Sequence, residues 1–287
     1  MKKAIVLGLG KYVPEKVMKN SDFVALGLDT SDEWIRERTG IRERRVADVS
    51  MSTSDMGALA AKQAIDDARL MPSDIDLVIV ATTTPDYPLF PSTACLIQNK
   101  LGIRQVGAFD LSAACSGFSY ALSVASKYIE TGDCKYVLVV GGDCLSKSVD
   151  WSDRSICVLF GDGAGAFVLQ ASDKPGGVQG SILRSDGSGG EFLSVPAGGS
   201  AHPTSEITIH TGMHFIHMNG KQVFRFATKV MAEAIGEVVK KSGWKDEELD
   251  LIIPHQANIR IIDAAARGMK LPMSKFMVNL DKYGKDE

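Results

Sequence analysis

A chain of 287 residues, 45% hydrophobic and 23% charged, is long enough to bury a large core, as one big domain or as two ordinary ones. Its formal net charge of −3 gives no global reason to expect nucleic-acid binding, and five cysteines without close spacing read neither as a disulfide framework nor as a zinc site. Met1-Lys2-Lys3 before the apolar Ala4 to Leu9 has the outline of a signal peptide, but Gly8, Gly10 and Lys11 interrupt the run. No window reaches the length of a membrane span, so a buried first strand in a soluble, cytoplasmic protein is expected.

In chain order, Ala4 to Leu9 predicts a strand and Gly8-Leu9-Gly10 a turn. A dinucleotide fingerprint is disfavoured there, because no third glycine follows and Pro14 stands where the helix should run. Ser31-Asp32-Glu33-Trp34-Ile35 opens a short helix with Thr30 or Ser31 as its N-cap, and Thr39-Gly40-Ile41 closes it. Arg36, Arg38, Arg42, Arg44 and Arg45 crowd this stretch. They read either as a solvated basic face or as a seat for a phosphate-bearing ligand, with Trp34 available to stack on a base. Ser54 to Leu70 has helical spacing, Ile75 to Ala81 reads as a strand buried on both faces, and Pro85, Pro88 and Pro91 mark a loop before a helix from Ala94 to Lys100. Tyr136 to Gly141 and Ile156 to Phe160 are predicted strands. Gly161-Asp162-Gly163-Ala164-Gly165 is predicted to be a tight turn leading to a strand from Ala166 to Leu169.

Leu111-Ser112-Ala113-Ala114-Cys115-Ser116-Gly117-Phe118 is the most informative stretch. It follows an apolar run, Val106 to Phe109, and leads into a helical pattern that stops at Thr131-Gly132. A cysteine between a strand end and a helix start meets converging N–H groups that stabilise a thiolate, and small neighbours admit a thioester. An inert packed cysteine is the competing reading, and it is the one applied to Cys95, Cys134, Cys144 and Cys157.

The second half repeats the first. Ser73-Asp74-Ile75-Asp76-Leu77-Val78 and Glu247-Glu248-Leu249-Asp250-Leu251-Ile252 each follow a helix, the second one spanning Val230 to Lys241, and each leads into a buried strand. Two such units imply a duplicated α/β architecture, with His255 at a strand's C-terminal end, where open sheets carry ligand chemistry. His210, His214 and His217 follow the alternating Ile207 and Ile209, which suggests strand and loop, and no metal site is expected.

Five motifs in combination resemble β-ketoacyl-acyl carrier protein synthase III of the thiolase superfamily, from Met1 to about Gly284. They are Ser31 to Ile35, Arg38-Thr39-Gly40-Ile41-Arg42, Ala114 to Phe118, Phe160 to Ala166, and His255-Gln256-Ala257-Asn258. The resemblance implies an αβαβα layered fold made of an N-terminal repeat, 1–170, carrying the cysteine, and a C-terminal repeat, 171–287, carrying the histidine. It implies the initiating condensation of fatty-acid synthesis. Cys115 takes an acyl group, usually acetyl, from acyl-CoA; malonyl-acyl carrier protein then loses carbon dioxide and attacks the acyl-cysteine, giving 3-oxoacyl-carrier protein. His255 would stabilise the negative thioester oxygen. Thr30, Trp34, Arg38, Arg154 and Asn258 match CoA-contacting positions, Phe90 a residue bounding the partner's acyl pocket in a homodimer, and Arg225, Arg260 and Arg267 a basic patch that docks the carrier protein. No cofactor and no membrane partner are implied; acyl-CoA is a substrate.

One departure stands out. The family's catalytic asparagine follows Lys282-Tyr283-Gly284, and here the residue is Lys285. The repeat also predicts about forty further residues, a helix and two strands, to complete its second copy, so a shortened version of a longer enzyme is expected. Such a chain would acylate Cys115 without decarboxylating malonyl thioesters. Two alternatives stay open: a related Cys-His acyltransferase with another starter or acceptor, and an impaired form that binds acyl-CoA or carrier protein.

Overall fold

The structure, a computed structural model, describes residues 2–285. The chain runs β1 (Lys3–Tyr12), β2 (Val17–Lys19), α1 (Asn20–Ala25), α2 (Asp32–Thr39), β3 (Glu43–Arg45), α3 (Thr53–Asp67), β4 (Leu77–Ala81) and α4 (Thr93–Leu101). It continues through β5 (Gly107–Leu111), α5 (Gly117–Thr131), β6 (Tyr136–Cys144), β7 (Asp162–Ser172), β8 (Leu193–Ser194) and α6 (Glu206–His210). The last elements are β9 (His217–Met218), α7 (Gly220–Lys241), α8 (Ile259–Met269) and α9 (Leu280–Tyr283).

The main sheet has the order β1-β7-β6-β4-β5, with β4 parallel to β5 and β6, and β7 antiparallel to β6 and β1. Both of its faces are apolar, and strand alternation divides them. Val78, Val80, Leu138 and Val140 face one way, into a cluster with Ala60, Ala64 and Ile97 of α3 and α4. Leu77, Ile79, Val137 and Val139 face the other way, against Ala121, Ala125 and Ile129 of α5. Helices on both faces leave β4 buried throughout, as its unbroken apolar run predicts.

Several expectations change. Gly8 and Gly10 lie within β1 and make no turn. A Cβ at Gly8 would stand 2.2 Å from the Ala64 carbonyl oxygen and one at Gly10 2.0 Å from that of Ala60, so these glycines let α3 lie directly on the strand. The run at Gly161 is no turn either; from Asp162 onward it belongs to β7. Ile156 to Phe160 forms turns instead of a strand, because Cys157 N donates to Asp153 O and Leu159 N to Ile156 O. The side chains of Ile156, Cys157, Val158 and Phe160 are buried all the same. Ile207 and Ile209 lie in the short helix α6, whose N-cap Ser205 hydroxyl accepts from Thr208 N.

The two segments that read as copies share local detail. A single 3-10 turn, Pro72–Asp74 in the first copy and Asp246–Glu248 in the second, precedes each strand position. Asp74 accepts from Met71 N and Glu248 from Lys245 N, the same bond in both copies. The second copy's sheet is reduced, among the described residues, to a parallel bridge between Ile252 and Phe276, where the first copy has the β4–β5 ladder. Leu251 and Ile253 flank that bridge and are exposed, so the strand expected after Glu247-Glu248 does not extend. A third apolar cluster joins Phe23, Ile35 and Ile41 near the N-terminus to Ile262, Phe276 and Leu280.

Candidate active site

Cys115 lies between β5 and α5, on a 3-10 turn formed by Ala114–Ser116. Ala114 has φ +45°, a left-handed conformation that costs a residue with a Cβ about 1–2 kcal/mol. The turn is held from below. A Cβ on Gly117 would meet that of Ala81 at 3.2 Å, so α5 starts directly on the end of β4. Phe118 meets Phe167 edge to face at 5.0 Å, in space that Gly141 leaves open. Cys115 itself is exposed. Near the end of β6, buried Asp143 accepts hydrogen bonds from the Thr82 hydroxyl and from the backbone N–H groups of Thr83 and Thr84. Burial pushes this carboxyl above its usual range, against the pull of those bonds. The loop it anchors carries Leu89 and Phe90, 81% and 80% exposed.

His255 follows the Ile252 bridge in the second copy. Its Nε2 is buried and has no hydrogen-bond partner among the described residues. Burial first, and then the nearby charge of Lys285, hold its pKa down to about 3, so the ring is neutral at physiological pH. Gln256 fixes the loop. Its Nε2 donates to Pro254 O at 2.9 Å and to Met277 O at 3.1 Å, and its Oε1 accepts from Asn279 N at 2.9 Å. Asn258 caps α8 by accepting from Arg260 N, and donates to Arg38 O at 2.9 Å. The motif is therefore a brace joining α8, α2 and the chain before α9. The motif in the sequence includes Gln256 but gives no sign of this role.

Trp34 sits on α2, whose N-cap Ser31 accepts from Trp34 N. Two guanidinium groups flank its ring, Arg38 at 4.8 Å and Arg154 at 5.1 Å from the centroid. Arg154 is ion-paired with Asp29 at 3.1 Å, and both line a cavity of about 690 Å³ with Leu28 and Trp151. The Thr30 hydroxyl is buried without a partner among the described residues. The arginine cluster thus divides. Arg38 stands by the cavity residue Arg154, Arg36 pairs with Asp32, and Arg44 is fully buried, donating to Met18 O, Asn20 Oδ1 and Val158 O. Neither a solvated face nor a phosphate seat describes Arg44, whose pKa burial lowers to about 10.

Arg260 on α8 lies over the ring of Phe224 on α7, at 5.2 Å, beside Arg225. Arg267 pairs with Asp263 one turn back. All three arginines are exposed.

Solved structures share this architecture over almost the whole chain. The 3-oxoacyl-(acyl-carrier-protein) synthase III of Aquifex aeolicus VF5 superposes with a TM-score of 0.89 at 45% identity, covering 99% of this chain and 86% of that one. The corresponding Pseudomonas aeruginosa PAO1 structure gives 0.90 at 37% identity, covering 99% and 84%. The molecule is thus of the thiolase-like αβαβα class, that of the condensing acyltransferases. Family models for 3-oxoacyl-(acyl-carrier-protein (ACP)) synthase III and its C-terminal part match residues 109–187 and 239–285. The β-ketoacyl-(acyl-carrier-protein) synthase III of Caldanaerobacter subterraneus subsp. tengcongensis is 51% identical over 279 residues, 97% of this chain and 84% of that protein. That of Clostridium acetobutylicum is 49% identical over 281 residues, with the same coverage of each. The chain belongs to the β-ketoacyl-(acyl-carrier-protein) synthase III family, enzymes of the initiating condensation in fatty-acid synthesis.

Proposed function

We propose that Cys115 is the nucleophile of this condensation and takes an acyl group, acetyl in the simplest case, from acyl-CoA. The observation that carries the reading is the turn itself. A strained Ala114 lifts an exposed cysteine to the start of a fifteen-residue helix, whose open N–H groups favour a thiolate and the oxyanion of its thioester adduct. The thiolate attacks the acyl-CoA carbonyl and CoA leaves as a thiolate, which takes a proton from water. Malonyl-acyl carrier protein follows, and the enolate formed on loss of carbon dioxide attacks the acyl-cysteine, returning the thiolate. His255, held neutral, serves as a donor to the enolate oxygen.

Trp34, Arg38, Arg154, Thr30 and Asn258 form the CoA seat in this reading. The cavity between Leu28 and Trp151 and the orphaned Thr30 hydroxyl both suit a nucleotide with polar edges. Arg225, Arg260 and Arg267 suit docking of an acidic carrier protein, an encounter that salt should weaken. A homodimer is supported by β5, the last strand of the sheet, and by the projecting Phe90, which would bound the partner's acyl pocket. The two repeats, 1–170 and 171–287, are its architectural units. The reaction needs no cofactor. A cytoplasmic enzyme fits a chain in which no described helix is long and apolar enough to cross a membrane.

Intact-protein mass after incubation with acetyl-CoA tests the reading, beside a Cys115→Ala control. A gain of one acetyl group only in the unsubstituted protein is expected. No gain in folded protein would overturn it.

A further inference from the structure

Asn20, the first residue of α1, is only 1% exposed, and its side-chain amide is bonded on both sides. Nδ2 donates to Asp32 Oδ1 at 2.9 Å and to the Ile41 carbonyl at 2.8 Å, while Oδ1 accepts from Arg44 Nη2 at 2.8 Å. A guanidinium can only donate and a backbone carbonyl can only accept, so the amide faces one way only. The two groups it donates to frame α2. Asp32 opens that helix, and Ile41 follows the left-handed Gly40 that ends it. Sliding α2 along its axis, or turning it, would break one of these bonds. Asn258 ties the last turn through Arg38 O, so Asn20 is the tie at the first turn, where Trp34 stands. The side of Asn20 away from α2 is packed as well. Arg44 lies 4.7 Å from the ring centroid of Phe23, and Phe23 stacks at 6.1 Å on Trp151, a wall of the cavity beside Arg154.

We infer that Asn20 is a positioning residue for the nucleotide half of acyl-CoA: by clamping Asp32 to Ile41 it sets where α2 presents Trp34 and Arg38. The inference rests on the reading above, in which those two residues belong to the CoA seat. Stacking on an aromatic ring depends on orientation, so a helix released at its first turn loses nucleotide affinity. Acyl transfer takes place at Cys115, on the turn before α5, which none of these bonds reaches. Asp32 gives the sharpest test, because its side chain is 51% exposed and its charge works against the inference. Removing a carboxylate near a phosphate-bearing ligand tightens binding by charge alone, whereas removing the partner of Asn20 weakens it.

Two measurements test this: calorimetric titration with CoA, and the rate of Cys115 acetylation from acetyl-pantetheine, which lacks the nucleotide. They compare the unsubstituted protein with Asp32→Ala, Asn20→Asp, the double variant Asn20→Asp/Asp32→Asn, and Trp34→Ala, each checked for folding by circular dichroism. Asp32→Ala and Asn20→Asp, which sets two carboxylates face to face, should weaken CoA binding about tenfold, within the range lost with one stacked base. Their rates with acetyl-pantetheine should not change. The double variant exchanges donor and acceptor across the bond and should recover most of the affinity. Undiminished CoA affinity in Asp32→Ala overturns the inference even if Asn20→Asp does not fold. So does an equal loss in both measurements, or a folded double variant that binds CoA no better than Asn20→Asp. Full CoA affinity in Trp34→Ala would refute the seat, and the inference with it. Failure of Cys115 to take an acetyl group, with the CoA pattern intact, would instead refute the acyl-transfer reading and leave the clamp standing.

Discussion

Gln256→Glu is the most informative single change in the brace behind His255. The substitution keeps the side chain's size and its acceptor oxygen, which takes Asn279 N at 2.9 Å and Leu280 N at 3.3 Å. It removes both donations, to Pro254 O and Met277 O, and turns a carboxylate oxygen toward two carbonyls. Two lost bonds cost about 0.5–1.5 kcal/mol each, and a buried carbonyl left without a donor costs about 1–3 kcal/mol. The contact to Met277 is open to solvent, so water satisfies that carbonyl and the total is about 2–4 kcal/mol. At about 2–4 °C per kcal/mol in a chain of this size, the melting temperature should fall by roughly 4–16 °C. Thermal unfolding by circular dichroism reads this directly, while acetyl transfer to Cys115 and carbon dioxide release separate the two halves of the reaction. Release should suffer more than transfer, because the brace positions His255 and not the cysteine turn. A melting temperature within about 1 °C of the unsubstituted protein, with unchanged carbon dioxide release, would refute the reasoning.

Other consequences follow from burial and contact. The pKa of His255 is about 3 in the fold against an ordinary histidine value of 6.5, so the unfolded chain binds the extra proton first; stability is fully present above 6.5 and is lost as pH falls toward 3, by at most about 1.4 kcal/mol per pH unit. Denaturant titrations between those limits should show this slope reduced in His255→Gln. Burial raises the thiols of Cys144 and Cys157 to about 11 from 9.0, so their contribution is present below 9 and lost as pH rises toward 11, which alkaline unfolding curves would register. Arg44→Ala leaves three buried acceptors without donors and should cost about 3–5 kcal/mol, measured as a lower denaturation midpoint at constant slope. Gly10→Ala drives a methyl group into the backbone of α3 and should cost about 1–3 kcal/mol by the same measurement; a neutral result would mean that the helix can retreat freely.

What was legible in the sequence was local and periodic. The run from Leu77 to Ala81 reads as a doubly covered strand because nothing polar interrupts it, and Gly40 and Gly132 read as helix ends because the left-handed conformation they adopt is one that glycine supplies. Gly8 and Gly10 misled because a glycine needed for a turn and a glycine needed for contact look alike. Only the facing row of Ala60, Ala64 and Ala68 distinguishes them, and that row belongs to a helix some fifty residues on. Ile156 to Phe160 shows the same limit: its apolar residues are buried, but local turns take the backbone bonds that a strand would use. Motifs single out Cys115, His255 and Trp34, the residues proposed for the site. The supports that hold the site, Asp143 under the Thr82 loop and Gln256 behind the histidine, act across long separations that no local spacing reveals.

The pairing of β1 also sets a schedule for the newborn chain. This strand is synthesised long before β7, which among the described residues is its only strand partner, from Lys3 opposite Ser172 to Tyr12 opposite Ala164. At about 5–20 residues per second, roughly 8–30 s of translation separate the two. During that interval an apolar segment stands without its ladder, exposed to chaperones and to neighbouring nascent chains. The main early shelter is α3, which emerges long before β7 and lies flush against Gly8 and Gly10. A bulkier residue at either glycine would therefore lower the yield of folded protein in the cell by more than its effect on the finished molecule.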